Sequence, residues 1–206
     1  MNYIENIFIC LSAPLLIAVF CLKGARRRLV LFLLSGMTAC LFSSYISTFI
    51  AAAMRTDKLS ASLEIAPMVE EVMKLFPFLF YLMVFEPRIE DASGSMLMIA
   101  VGFATFENVC YLTANGAASV IHLLIRGFGT GAMHVVCGAI VSFGLFYLWN
   151  QLWLRAAGTV GLLSLAITYH GIYNILVSRT GTAAVIGYII PMMTAVLLKL
   201  ISGKNP

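Results

Sequence analysis

About seven stretches of some twenty predominantly apolar residues follow one another along this chain, separated by short loops. Each is long enough to cross the hydrocarbon core of a bilayer as a helix, which takes about 20 residues. That pattern specifies an all-α, polytopic membrane protein. Composition agrees: 61% of residues are hydrophobic and only 11% charged, against about 45–50% and 25% in soluble domains. The expected spans lie at about 4–22, 29–53, 62–85, 93–113, 127–149, 156–178 and 182–201. A short interfacial helix is expected at 117–125. No linker divides the chain, so residues 1–206 form a single membrane domain with its motif-bearing core at about 62–178. The first span follows Met-Asn-Tyr-Ile-Glu-Asn, an acidic start where a secretory signal would carry Lys or Arg, and is read as retained. The cysteines Cys10, Cys21, Cys40, Cys110 and Cys137 lack metal-finger spacing and read as reduced packing residues.

Lysine and arginine set the orientation. Lys23, Arg26, Arg27, Arg28, Arg88, Arg155, Lys199 and Lys204 fall on one side, and Arg55, Lys58 and Arg179 on the other. The triple-arginine loop and the C-terminus are therefore expected in the cytoplasm, and the N-terminus outside. Gly127–Gly131 and Gly138–Ser142 have the small-xxx-small spacing that lets membrane helices approach closely.

Against this background, Glu70, Glu71 and Lys74 are out of place. An ionisable group at the centre of a bilayer costs about 2.5–3.5 kcal/mol even on the lenient insertion scale and is by default a sign of function. The other embedded polar residues are Glu107 and Asn108 in the fourth span, His134 in the fifth, and His170 and Asn174 in the sixth. Counted from the outer ends of their spans, Glu70, Glu107, His134 and His170 all lie roughly 9–12 Å deep at 1.5 Å per residue. Four helices of alternating direction thus place their ionisable groups in one layer, which points to one shared site nearer the outer face. Lys74 is within helical reach of both glutamates; it can neutralise one and leave the other as a base. His170 and Asn174, four apart, face one cavity and suit an oxyanion. The small residues Gly129-Thr130-Gly131-Ala132 leave room beside His134 for water, a metal or a substrate backbone. Arg126, two turns before His134, reads equally as a lipid-headgroup anchor, His122 as a loop residue, and Tyr111, Tyr169 and Tyr173 as packing or interfacial aromatics.

Several intramembrane chemistries are excluded. There is no His-Glu-x-x-His, the aspartates Asp57 and Asp91 fall in loops, and no serine lies beside a histidine in the common layer. Glutamate and histidine remain. At these residues the chain resembles the PrsW family of intramembrane proteases, relatives of the CAAX-prenyl endopeptidase group. The resemblance rests on Glu70-Glu71-Val72-Met73-Lys74, Phe103-Ala104-Thr105-Phe106-Glu107-Asn108, Arg126 with His134, and His170-Gly171-Ile172-Tyr173-Asn174. The four blocks occur in order on separate expected helices. The last ends in Asn174 where many members carry Asp.

The resemblance implies hydrolysis of peptide bonds in membrane-anchored proteins, in its best-known form the first cut in an anti-sigma factor of a bacterial cell membrane. The partners expected are such a substrate and the lipid bilayer, not nucleic acid. In the mechanism expected from the shared layer, Glu70 and Glu107 activate a water and Lys74 holds the glutamate pair, with Glu71 as support or alternate base. His170 and Asn174 stabilise the oxyanion, Asn108 belongs to the same set, and His134 orients the water or protonates the leaving amine. A variant uses Glu70, Glu107, His134 and His170 as ligands of one Zn²⁺; the spacings do not choose between the two. A proton- or ion-coupled transporter and a non-catalytic helix-binding scaffold are the alternatives from other classes.

Overall fold

Each apolar run becomes one helix in the computed structural model, which describes residues 4–116, 119–149 and 151–202. Helices α1 (Ile4–Cys21) and α2 (Gly24–Met54) are followed by the single turn α3 (Lys58–Ser60) and a π-turn, Ala61–Ile65. Then come α4 (Ala66–Phe85), α5 (Ile89–Asn115), α6 (Val120–Leu148), α7 (Leu152–Val177) and α8 (Thr182–Ser202). No strand occurs among the described residues. Helices α1, α2, α5, α6, α7 and α8 are long and apolar enough to cross a membrane. With 20 residues α4 is also long enough, but Glu70, Glu71 and Lys74 set it apart in composition. The fold is an all-α, multi-pass membrane bundle.

Two boundaries differ from expectation. Arg26, Arg27 and Arg28 lie inside the first turns of α2. The separate interfacial helix expected at 117–125 does not form: Val120 already belongs to α6, which runs unbroken to Leu148, and residues 117 and 118 lie outside the described residues. A lone Gly127 costs a helix only about 1 kcal/mol relative to alanine, too little to interrupt a span that packs along its length. Ser119 caps this helix, its side chain accepting from the His122 N–H.

The tightest seam joins α2 to α5. A Cβ on Gly36 would stand 2.0 Å from the Ile99 carbonyl oxygen, and one on Gly102 would stand 2.0 Å from that of Leu33. Only glycine allows the two backbones to meet so closely at both positions. Helix α6 packs on α5 with Gly138 against Ala100, whereas Gly127 and Gly131 meet nothing within 4 Å. Of the two small-residue pairs singled out in α6, only the second lies at a close crossing. Helix α4 packs against α2, α5 and α7, and α6 spans from α5 to α7 and α8. Helix α1 leans on this core through Phe8, whose ring meets that of Phe106 edge-on.

Alternating helix direction gathers the basic loops at one end of the bundle. There Arg28 and Arg88 both pair with Asp91, at 3.1 and 3.7 Å; Lys204 lies outside the described residues. At the opposite end Asp57 caps α3. The Ser60 hydroxyl, then the Ser60 and Leu59 amides, donate to its carboxylate and hold it below the usual carboxylate range.

Candidate active site

The local geometry begins with a proline. A π-turn pairs a carbonyl with the N–H five residues on, as Ala61 is paired with Ala66. The carbonyl of Ser62 would next require a donor at position 67, but Pro67 has no N–H. Asn174 of α7 supplies it, its side-chain amide donating to the Ser62 oxygen at 3.0 Å. The residue picked out as an oxyanion donor is thus also a tie from α7 to the turn that aims α4. One amide hydrogen remains free for other work.

One turn further along α4, the ambiguity around Lys74 disappears. Its ammonium, with no solvent exposure, donates to Glu71 Oε1 at 2.5 Å and lies 2.9 Å from His134 Nδ1. It also sits over the Phe103 ring, 4.9 Å from its centre. Glu71 Oε1 is shared, since His170 Nδ1 approaches it at 2.8 Å. A carboxylate accepts, so His170 carries its proton on Nδ1 and turns a lone pair on Nε2 toward the cavity. Glu70 Oε2 stands 3.7 Å from that nitrogen. It is buried without a hydrogen-bond partner, as is Glu71 Oε2.

A second network converges from α5 and α6. Glu107 Oε2 is 2.6 Å from His134 Nε2, and Glu107 Oε1 accepts from Arg126 at 3.2 Å. Arg126 also donates to Asn108 Oδ1 at 2.5 Å, and its guanidinium lies over the Tyr111 ring, 3.6 Å from the centre. Since an ammonium can only donate, His134 accepts from Lys74 at Nδ1 and donates from Nε2 to Glu107. The two imidazoles meet edge-on, with ring centres 5.1 Å apart.

The structure therefore brings Glu70, Glu71, Lys74, Glu107, His134 and His170 together at the end of the bundle away from the triple arginine. It places Asn108 and Asn174 one contact further out. Arg126 is the residue whose part in the site the sequence left open. Its available signal was helical phase, eight residues before His134 on the same face of α6. Read as a loop residue, His122 instead lies in the first turn of α6, with Nε2 3.4 Å from the Tyr111 hydroxyl. Tyr173, read as a packing aromatic, also places its hydroxyl 2.8 Å from Thr130 Oγ1. Both line a cavity of about 380 Å³ that reaches Glu70, Glu107 and His170.

The donor set suits a metal. Glu70, His134 and His170 each bring one ligand atom to within 4.8 Å of the others. Two nitrogens and a carboxylate, with a place left for water, are a common catalytic zinc set, which His134 can join only once one of its two engaged nitrogens is freed. The His170–Glu71 bond is the outer-shell contact that orients a ligating imidazole. The unpartnered Oε2 of Glu70 leaves an acceptor available to this set. Glu107 lies beside this set rather than within it.

One comparison with known proteins identifies the family. The model of the PrsW family intramembrane metalloproteases matches residues 24–200. Searches of the curated proteins and of the solved structures return no match. The matched range takes in every site residue and all of α2 to α8 except the last two residues of α8, so the chain belongs to the PrsW family of intramembrane metalloproteases.

Proposed function

We propose that this intramembrane protease cuts membrane-anchored proteins near the extracytoplasmic face, with Glu107 as the general base and Glu70, His134 and His170 holding one Zn²⁺. One observation carries the reading: carboxylates and imidazoles from α4, α5, α6 and α7 converge, with contacts of 2.6–3.7 Å, at the end opposite the basic loops. The positive-inside rule puts those loops in the cytoplasm and the site toward the outer leaflet. A cut there, in a bacterial membrane, suits the first processing of an anti-sigma factor.

When bound, the ion would polarise a water and the peptide carbonyl. The rest falls to the protein. Lys74 neutralises Glu71, and Glu71 holds the His170 ring so that Nε2 faces the cavity. Arg126 and Asn108 fix Glu107 beside the reacting water, whose proton it takes and later returns to the departing amine. The free amide hydrogen of Asn174 is a donor for the carbonyl oxygen as it gains charge. A metal-free reading has its own support: both His134 nitrogens are engaged, one by Lys74 and one by Glu107. In that version Glu70, whose Oε2 is unpartnered, activates the water directly.

Co-expression with a panel of single-span fusion proteins tests the proposal. Wild type should release fragments that end in the outer half of the substrate span, and Glu107→Gln should release none. Fragments that end in the cytoplasmic half would reverse the orientation; cleavage untouched by Glu107→Gln would remove Glu107 from the chemistry.

A further inference from the structure

A second cavity, of about 450 Å³, reaches the same carboxylates from the other side. It lies against α2, and it shares Ser62, Ala66, Glu70 and Glu107 with the first. The two spaces therefore meet at the glutamate pair. Their other walls differ in kind. The first cavity carries His122, Arg126 and Asn174. The second is lined by apolar groups such as Ile4, Cys40 and Phe106 and by a face of hydroxyls from α2, Ser43, Ser44, Ser47 and Thr48, with Thr56 and one cation, Lys58, at the α2–α3 turn.

These hydroxyls are what a peptide backbone lacks inside a bilayer. A transmembrane helix pairs its own N–H and C=O groups, so a substrate segment must unwind before its carbonyl can be attacked. Each group thus exposed then requires a partner. A hydroxyl offers both a donor and an acceptor. Thr48 spends its proton on the Ser44 carbonyl and keeps acceptor capacity on its oxygen. Ser47 has spent nothing: its Oγ is buried with no hydrogen-bond partner.

Resting on the peptidase reading above, we infer that the two cavities are the two halves of one groove for an extended substrate segment, the scissile bond lying at Glu70 and Glu107. Ser47 donates to a substrate carbonyl in the α2 half, and Thr48 accepts from a substrate N–H. The α2 half accepts small or apolar side chains, and the half containing Arg126 and His122 accepts polar ones. Specificity thus divides at the cut.

The test uses the purified full chain in detergent and an equimolar mixture of synthetic decapeptides of randomised sequence, with cleavage sites read by mass spectrometry. Ala51→Phe fills the α2 half and Ser178→Phe the other. Each should change residue preference on one side of the cut only, and on opposite sides; Ala51→Leu serves should the larger residue prevent folding. Ser47→Ala should raise KM about three- to tenfold, the worth of one hydrogen bond, with kcat within twofold. Both fillings acting on the same side, an unchanged profile, or an unchanged KM for Ser47→Ala would overturn the inference while leaving the peptidase intact. A wild type whose cleavage pattern matches that of Glu107→Gln would overturn the peptidase reading and this inference with it.

Discussion

A lysine with no exposure, such as Lys74, is tolerable in a bilayer only while its charge is answered, and Glu71 answers it at 2.5 Å. Removing one partner of such a pair strands the other, at a cost of about 3–5 kcal/mol, whereas replacing both with neutral groups costs much less. Lys74→Met should therefore lower the melting temperature sharply, and Glu71→Gln/Lys74→Met should recover most of the loss. Thermal unfolding of the two variants in detergent measures this coupling; equal losses would mean that the stranded Glu71 charge is not the source of the cost. Arg126 plays a different part. It holds Glu107 and Asn108 with separate nitrogens, and lysine, a point charge without the planar fork, cannot reproduce that geometry. Arg126→Lys should cut kcat about 10- to 100-fold, as losing an outer-shell partner commonly does, with little change in KM. Steady-state kinetics on one cleaved substrate decide it. Helical phase made Glu70, Glu71 and Lys74 legible as a group, but spacing allows Lys74 to reach either glutamate. In the fold the Glu71 oxygen that Lys74 pairs with is also held by His170, ninety-nine residues away in sequence, and no local pattern carries that contact.

Hydropathy marked the helices, because a bilayer requires each apolar run to satisfy its own backbone. The irregular elements were hidden for the opposite reason. The π-turn at Ala61–Ile65 depends on Pro67 withholding a donor and on Asn174 replacing it from another helix. The crossing of α2 and α5 was equally obscure. Gly36 and Gly102 are unremarkable in sequence, isolated glycines in long apolar runs, and only the fold shows each lying on the other helix's backbone. That crossing fixes where Phe103 and Phe106, both fully buried, stand beside Glu107. Gly36→Ala should therefore destabilise by about 1–3 kcal/mol, the usual cost of overpacking, although alanine is the better helix former. Gly131→Ala, where a Cβ meets nothing within 4 Å, should be neutral or slightly stabilising. Melting temperatures of the two variants side by side check the contrast, and equal shifts would deny the close crossing.

At the scale of the whole molecule, the bundle holds a polar chamber that its apolar exterior must sustain. Glu71 and Lys74 neutralise each other, as do Arg126 and Glu107. Glu70 remains, with an unpartnered oxygen beside the lone pair of His170. Two acceptors facing each other in a membrane interior are poorly satisfied, and a divalent cation would answer both, with His134 the third ligand once it releases one of its present partners. An ion that binds the folded state alone stabilises it by RT ln(1 + [L]/Kd), about 4 kcal/mol at a thousandfold excess over Kd. Protein purified without added metal should accordingly carry close to one equivalent of zinc by elemental analysis. Stripping it with a chelator should lower the melting temperature, and adding zinc back should restore it. Glu70→Gln and His170→Ala should abolish both the content and the shift. Glu64→Gln, which lies in the π-turn and outside the donor set, should alter neither. Full activity in metal-free protein, with a melting temperature indifferent to chelator, would transfer the work to Glu70 as a direct base. The His134 proton now directed at Glu107 would then stay where the structure places it, because no ion competes for that nitrogen.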